Sequence, residues 1–205
     1  MYNALFPPNV YKFLYLLQRL ERDNEIDRTV LDCGAGGLRP SLALFDRLGY
    51  ETHGIDISDE QVKKASEFCE RHGLDLDIQI GDMREIPFDN ESFGLVYSYN
   101  SIFHLTKTDS AKAMREMRRV LKTPGYLYVN FLSVDDQQCG EGDQVGPGEW
   151  KSTEHGEPTI HSYYEKNEPD QYFDRMEIVL KEKKTTELRT LDYRMVTLEY
   201  IAGKQ

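Results

Sequence analysis

Cysteine is scarce in this sequence, and no long hydrophobic run occurs. Its three cysteines, Cys33, Cys69 and Cys139, stand at no metal or redox spacing, which argues against a disulfide framework and suits a reducing compartment. The longest apolar cluster near the start, Phe13 to Leu17, is far too short to span a bilayer. Met1 to Val10 has no basic stretch leading into an apolar run, so no signal peptide is expected and the chain reads as cytoplasmic. Basic residues are outnumbered, 25 against 36 acidic ones, and the net charge of −11 argues against a broad electrostatic grip on DNA or RNA. The close set Arg115, Arg118, Arg119 and Lys122 spreads over the wet side of a helix and reads as a solvated face. Internal repeats and low-complexity tracts are absent. What remains is a globular protein whose 205 residues can bury one core, so 1–205 reads as a single domain.

Within that frame the apolar residues set a clear order. Val10, Phe13, Leu14, Leu16, Leu17 and Leu20 recur at helical spacing, so an N-terminal helix is expected within 1–27, ending in the charged run Glu21 to Asp27. Thr29 to Cys33 is a short buried strand running into glycines, followed by a helix that buries Leu42, Phe45 and Leu48 and closes at Gly49. Tyr50 to Ile57 is a second strand. Ser58 and Gln61 mark the capped start of the next helix, which Gly73 ends. Leu74 to Ile80 and Phe93 to Tyr99 are strands three and four, and Ala111 to Leu121 is a helix with Met114 and Met117 facing inward. Thr123-Pro124-Gly125-Tyr126 suits a type II turn before a fifth strand, Tyr126 to Leu132. Strands alternating with helices imply right-handed βαβ units. The fold class is therefore α/β, a doubly wound, mainly parallel sheet with helices on both faces. Beyond Ser133 the composition changes. Residues 133–170 read as a loop or lid insertion, irregular to Pro158, and Met176 to Lys181 and Tyr193 to Ile201 form an antiparallel C-terminal strand pair within 176–202.

In open sheets of this kind ligands bind beyond the carboxyl ends of the strands. Strand one leads there into Leu31-Asp32-Cys33-Gly34-Ala35-Gly36-Gly37-Leu38, where glycines permit a sharp turn and close approach of a ligand to backbone. Asp56 ends strand two, 20 residues after Gly36, where a carboxylate can accept hydrogen bonds from both hydroxyls of a ribose. A nicotinamide-dependent oxidoreductase is one reading of these two features. Against it, Arg39 stands where a dinucleotide turn needs a small residue, and no second nucleotide-binding half follows.

Two further pieces point elsewhere. Strand three ends in Gly81-Asp82-Met83, and Arg119-Val120-Leu121-Lys122 precedes Pro124-Gly125. With the Asp-x-Gly-x-Gly turn and Asp56, the stretch from Thr29 to Leu132 resembles the class I, Rossmann-like S-adenosylmethionine-dependent methyltransferases, in particular their small-molecule branch. The resemblance implies S-adenosyl-L-methionine as cofactor and S-adenosyl-L-homocysteine as product. It would set Gly34, Ala35 and Gly36 beside the methionine moiety, Asp56 on the ribose, Ile57 and Met83 against the adenine, and Asp82 on its amino group. Asn100 and Ser101 would lie near the transferable methyl, and Asp32 would order the turn or meet the ligand's amino group. The chain departs from the family at Leu38, where a third glycine is usual; Gly37 stands one place earlier. That departure motivates a second reading, a sensor or scaffold that binds the cofactor without turnover.

For the acceptor the sequence offers candidates. His104, just past Asn100-Ser101, is placed to serve as a base or to touch substrate. Trp150, His161, Tyr163 and Tyr164 make the late segment polar and aromatic, suited to a lid over a small-molecule acceptor. His155, Glu157 and His161 lack metal-site spacing, and no metal is expected. Tyr2 or Tyr11 on the first helix would reach the cofactor's carboxylate if that helix closed over it. No nucleic-acid or membrane partner is expected, and the acceptor and oligomeric state are left open.

Overall fold

A computed structural model describes residues 6–20, 26–154 and 156–204. The helix α1 (Pro8–Leu20) comes first, then alternation sets in: β1 (Thr29–Cys33), α2 (Leu42–Arg47), β2 (Glu51–Asp56), α3 (Asp59–His72), β3 (Ile78–Ile80) and β4 (Phe93–Ser98). A 3₁₀ turn, Ile102–His104, leads into α4 (Lys107–Val120) and the long β5 (Leu121–Ser133). The strands β3-β2-β1-β4-β5 lie side by side and parallel, as the βαβ pattern requires. β9 (Glu177–Leu188) and β10 (Tyr193–Lys204) form the expected antiparallel pair, and β10 runs antiparallel along β5 from Gly125 to Leu132.

The sheet buries both faces. On one, α1, α2 and α3 bring Val10, Phe13, Leu17, Phe45 and Phe68 onto Tyr97, Tyr128 and Ile201. On the other, Met114, Met117 and Val120 of α4 pack on Leu31, Val96, Leu127 and Val129. Double-sided burial explains why β4 is buried at every position and reads as a continuous apolar run. Helix ends follow the local chemistry. Ser58 Oγ accepts from Gln61 N at 3.4 Å, and Gly73 takes the left-handed C-cap conformation.

Five expectations need correction. Leu48 is exposed, because α2 ends at Arg47. β3 begins at Ile78 rather than Leu74, since Asp77 has a φ of 46° that an extended strand cannot accommodate. α4 starts at Lys107, four residues before Ala111, because the Thr106 hydroxyl caps it by accepting from Asp109 N. Residues 123–126 are not a type II turn: Gly125 lacks the positive φ such a turn needs, the Thr123–Pro124 bond is cis, and the segment lies inside β5.

The largest difference falls in 133–158. Three strands, β6 (Asp143–Gly146), β7 (Glu149–Glu154) and β8 (Glu157–Tyr164), form an antiparallel meander there. β8 joins the sheet beside Leu132 and Ser133 of β5. β6 is exposed along most of its length, so no apolar alternation announces it. The meander is tied down by side chains from elsewhere: Glu149 Oε1 accepts from Lys107 N at 2.5 Å, and Ser162 Oγ donates to the Leu105 carbonyl at 2.6 Å. Among the described residues, no helix is long and apolar enough to cross a membrane.

Candidate active site

At the carboxyl ends of β1 to β4 lies a cleft of about 580 Å³, within the ~300–1,000 Å³ typical of small-molecule sites. Gly34, Gly36, Asp56, Ile57, Asp82, Met83, Asn100 and Ser101 line it together with His104. Two implied cofactor residues do not. Ala35 is buried beneath the turn, its N–H donating to the Ile55 carbonyl at 3.0 Å. Asp32 is 3% exposed, and burial, reinforced by the charge of Asp56, pushes its carboxyl well above the usual carboxylate range.

The turn after β1 is shaped to keep side chains out. Gly34 has a φ of 101°, and a Cβ there would stand 2.0 Å from Ser101 Oγ. At Gly36 a Cβ would stand 2.6 Å from Asp56 Oδ2. Asp56 locks the turn in return: its Oδ2 accepts from Gly36 N at 3.0 Å and its Oδ1 from Ser58 N at 2.9 Å. A carboxylate has about four acceptor positions, which leaves about two for hydroxyls of a ligand. Leu38 is 70% exposed and lies outside the cleft, and Gly37, with a φ of 104°, supplies the left-handed residue one place earlier. The departure from the glycine pattern therefore puts no side chain into the cleft.

Asp82 is held by Arg84, whose Nη2 donates to Oδ2 at 2.6 Å; that pairing keeps its carboxyl below the ordinary carboxylate range. Asn100 takes a left-handed φ of 54° and is clasped by the buried Asn130. Asn100 N donates to Asn130 Oδ1 and Asn130 Nδ2 to Asn100 Oδ1, both at 2.8 Å.

The acceptor-side candidates separate. His104 borders the cleft, 4.7 Å from the Phe103 ring and 4.8 Å from His161, centroid to centroid. His161, Trp150 and Tyr163 stand away from the cleft, in an aromatic layer with Phe103 and Leu132. Tyr164 lies in the core against Phe131 and Tyr172, with the Lys107 ammonium over its ring. Tyr11 points outward from α1 and does not reach the cleft. Tyr2 and His155 lie outside the described residues, among which no cluster of three potential metal ligands occurs. Sequence reasoning missed Gln61, Tyr99 and Leu105, which line the cleft as well. Gln61 had been legible only as a helix-start residue, and Tyr99 only as the end of a buried strand.

The family model for the methyltransferase domain matches residues 31–129, a span that includes every residue lining this cleft. Residues 31–129 thus carry the sequence pattern of a methyltransferase domain. The domain is 34% identical over 117 residues to the uncharacterized methyltransferase YcgJ of Bacillus subtilis, a match covering 56% of this chain and 45% of that protein. It is 30% identical over 116 residues to a sarcosine/dimethylglycine N-methyltransferase of Aphanothece halophytica, covering 55% of this chain and 40% of that one. The chain thus spans less than half the length of these curated relatives. In fold it is similar to a SAM-dependent methyltransferase from Methanosarcina mazei, with a TM-score of 0.76 at 21% identity over 98% of this chain and 99% of that one. The methyltransferase fold therefore extends beyond the matched domain into the β9–β10 pair.

Proposed function

We propose that the protein transfers a methyl group from S-adenosylmethionine to a small-molecule acceptor. The observation that carries this reading is the convergence on one cleft of eight of the ten implied cofactor residues together with His104. The residues suit the ligand: glycine backbone for close approach, a locked carboxylate at Asp56 with room for two hydroxyls, and Met83 and Ile57 as apolar cover. When bound, S-adenosylmethionine supplies a methyl made electrophilic by its sulfonium sulfur. The chain's task is alignment and a dry pocket, and near-attack positioning is worth on the order of 7–11 kcal/mol in favourable cases. Asn100, fixed by the Asn130 clasp, and Ser101 beside it would form the wall between the adenosyl site and His104. For an acceptor with an O–H or N–H, His104 would take that proton, while the bound cofactor would give up its methyl by cleavage of the sulfur–methyl bond and leave as S-adenosylhomocysteine. A small-molecule acceptor is supported by the size of the cleft, by the chain's acidity, and by relatives named for sterol, sarcosine/dimethylglycine and ajmaline methylation.

Calorimetric titration with S-adenosylmethionine, S-adenosylhomocysteine and NAD tests the reading, alongside Asp56→Ala. Micromolar binding of the two adenosyl ligands, weakened about 100-fold or more in the variant, is expected. A preference for NAD, or no adenosyl binding, would overturn it.

A further inference from the structure

Glu199 lies in the middle of β10, only 1% exposed, and nothing in the methyltransferase assignment uses it. One of its oxygens is satisfied. Oε1 accepts from Asn9 Nδ2 of α1 at 2.5 Å and stands 3.4 Å from the Lys184 ammonium of β9. Lys184 Nζ donates in turn to Asn9 Oδ1 at 2.8 Å, and Asn9 Nδ2 also meets the Tyr128 hydroxyl at 2.6 Å. The other oxygen, Oε2, is buried and takes no hydrogen bond from any described residue. Burying a carboxylate with an open acceptor is unfavourable, so its position calls for a reason.

The sheet supplies one. β10 sets Glu199 directly opposite Asn130 of β5, and residues paired in this way share one face of the sheet. Asn130 is the residue that clasps Asn100 at the wall of the cleft. Tyr128, two positions before Asn130, shares that face and packs its ring 6.5 Å from that of Tyr99, which lines the cleft beside Asn100. Glu199 therefore stands one layer of side chains behind the wall that Tyr99 and Asn100 form. Its charge is felt there: burial, and then the Glu199 carboxylate, hold the Tyr99 phenol above its usual range. No lysine or arginine is among the described residues that line the cleft. The counter-charge of Lys184 sits on a side chain about one-third exposed (35%), where water weakens its field.

We infer that Glu199 is a specificity-determining residue, which raises the affinity of this end of the cleft for a cation, the sulfonium of S-adenosylmethionine, relative to the neutral thioether of S-adenosylhomocysteine. The inference rests on the proposed function, since it takes the adenosyl ligand to lie in this cleft with its sulfur toward Asn100 and Ser101. A buried carboxylate behind a wall of side chains acts through its field, without a hydrogen bond to the ligand. That field attracts the charged cofactor and loses its hold on the product, which no longer carries the charge. Added salt screens a buried charge far less than an exposed one, so the preference survives high ionic strength.

The test titrates the full chain with S-adenosylmethionine and S-adenosylhomocysteine by calorimetry, for wild type, Glu199→Gln and Lys184→Met, and reads the ratio of the two affinities. Glu199→Gln keeps the oxygen that accepts from Asn9 and removes the charge. It should lower the preference for S-adenosylmethionine by about fivefold, with S-adenosylhomocysteine affinity within about twofold of wild type. Lys184→Met removes the opposing charge and should move the ratio the other way, by about twofold. Both shifts should persist in roughly 0.5 M salt. An unchanged ratio in Glu199→Gln would overturn the role of Glu199 while leaving the adenosyl site standing. A shift of the same sign in both variants would trace the effect to a disturbed wall, and a shift abolished by salt would trace it to exposed charges; either would overturn it as well. Should Glu199→Gln not fold, an unchanged ratio in Lys184→Met overturns it alone. Binding of neither ligand by wild type would remove the proposed function itself.

Discussion

Past the ends of β1, β2 and β3 the wall of the cleft is made mostly of backbone, glycine and carboxylates; past the end of β4 it is side chain, with His104 and Leu105 at the surface and Phe103, Trp150, His161 and Tyr163 behind. The first wall is held by partners at most 20 positions apart. Asp56 ties to Gly36 and Ser58, and Asp82 to Arg84. The second is held across long stretches of chain: Asn100 by Asn130, Lys107 by Glu149, and Leu105 by Ser162. A wall of backbone and locally fixed charge suits a ligand that never changes. A wall of packed rings on a meander can alter its shape by substitution without disturbing the turn that holds the other ligand.

This contrast can be broken most forcefully from the first side. In Gly34→Ala a Cβ would meet Ser101 Oγ at 2.0 Å on a residue with a φ of 101°. The added methyl forces the turn and the Ser101 wall apart, at a cost of about 2–4 kcal/mol. S-adenosylhomocysteine affinity should fall about 100-fold, and a thermal melt read beside the titration should drop as well. Retention of both would show that the turn is far softer than its geometry implies.

A smaller and opposite effect is expected from the second side. With an O–H or N–H acceptor, His104→Gln should lower kcat by about 10²-fold and flatten the acid limb of the rate–pH profile. It should leave S-adenosylhomocysteine affinity within about twofold, since His104 belongs to the other wall. A matching loss of cofactor affinity would erase the distinction between the walls; an unaltered pH profile would remove His104 as the base.

The smallest effect sharpens the picture beneath the turn. Asp32 is buried and its carboxyl is pushed up, chiefly by desolvation and then by Asp56. Below an unfolded pKa of about 3.9 both folded and unfolded states hold the proton and nothing is lost. As pH rises above that value the unfolded chain releases its proton while the folded one resists, so stability declines toward the folded pKa. Asp32→Asn removes the decline. The variant should match wild type near pH 4 and exceed it at pH 7 by roughly 2–4 °C, the shift that about 1 kcal/mol produces in a chain of this size. A variant less stable than wild type at neutral pH would mean that the charge is needed by the turn itself.

Much of this arrangement was legible in the sequence. β1, β2 and β4 lie within one or two residues of their expected bounds, β1 and β4 because strands buried on both faces leave mostly apolar runs. Much of the glycine and carboxylate wall of the cleft was legible for a related reason. Its parts sit immediately after strands, so locating the strand ends located Gly34, Asp56, Asp82 and Asn100 as well. The meander was not legible, since β6 is exposed along most of its length and β7 is only half-buried, and neither carries an alternating apolar sequence. Nor was the sorting of the aromatic candidates, because His161, Tyr163 and Tyr164 are adjacent in sequence yet face different layers, one of them the α4 core.

The sequence by itself determined the order of elements, the parallel sheet and the turn chemistry, because those follow from periodicity and from backbone conformations that only certain residues adopt. Only the tertiary structure decided which side chains meet: that Asn130 clasps Asn100, that Glu149 holds α4, and that Arg84 grips Asp82 while leaning on Asp109. Most of these pairings join residues tens of positions apart. A hydrogen bond or an ion pair between such residues leaves no periodic trace in the chain, and only the packed sheet brings its ends together.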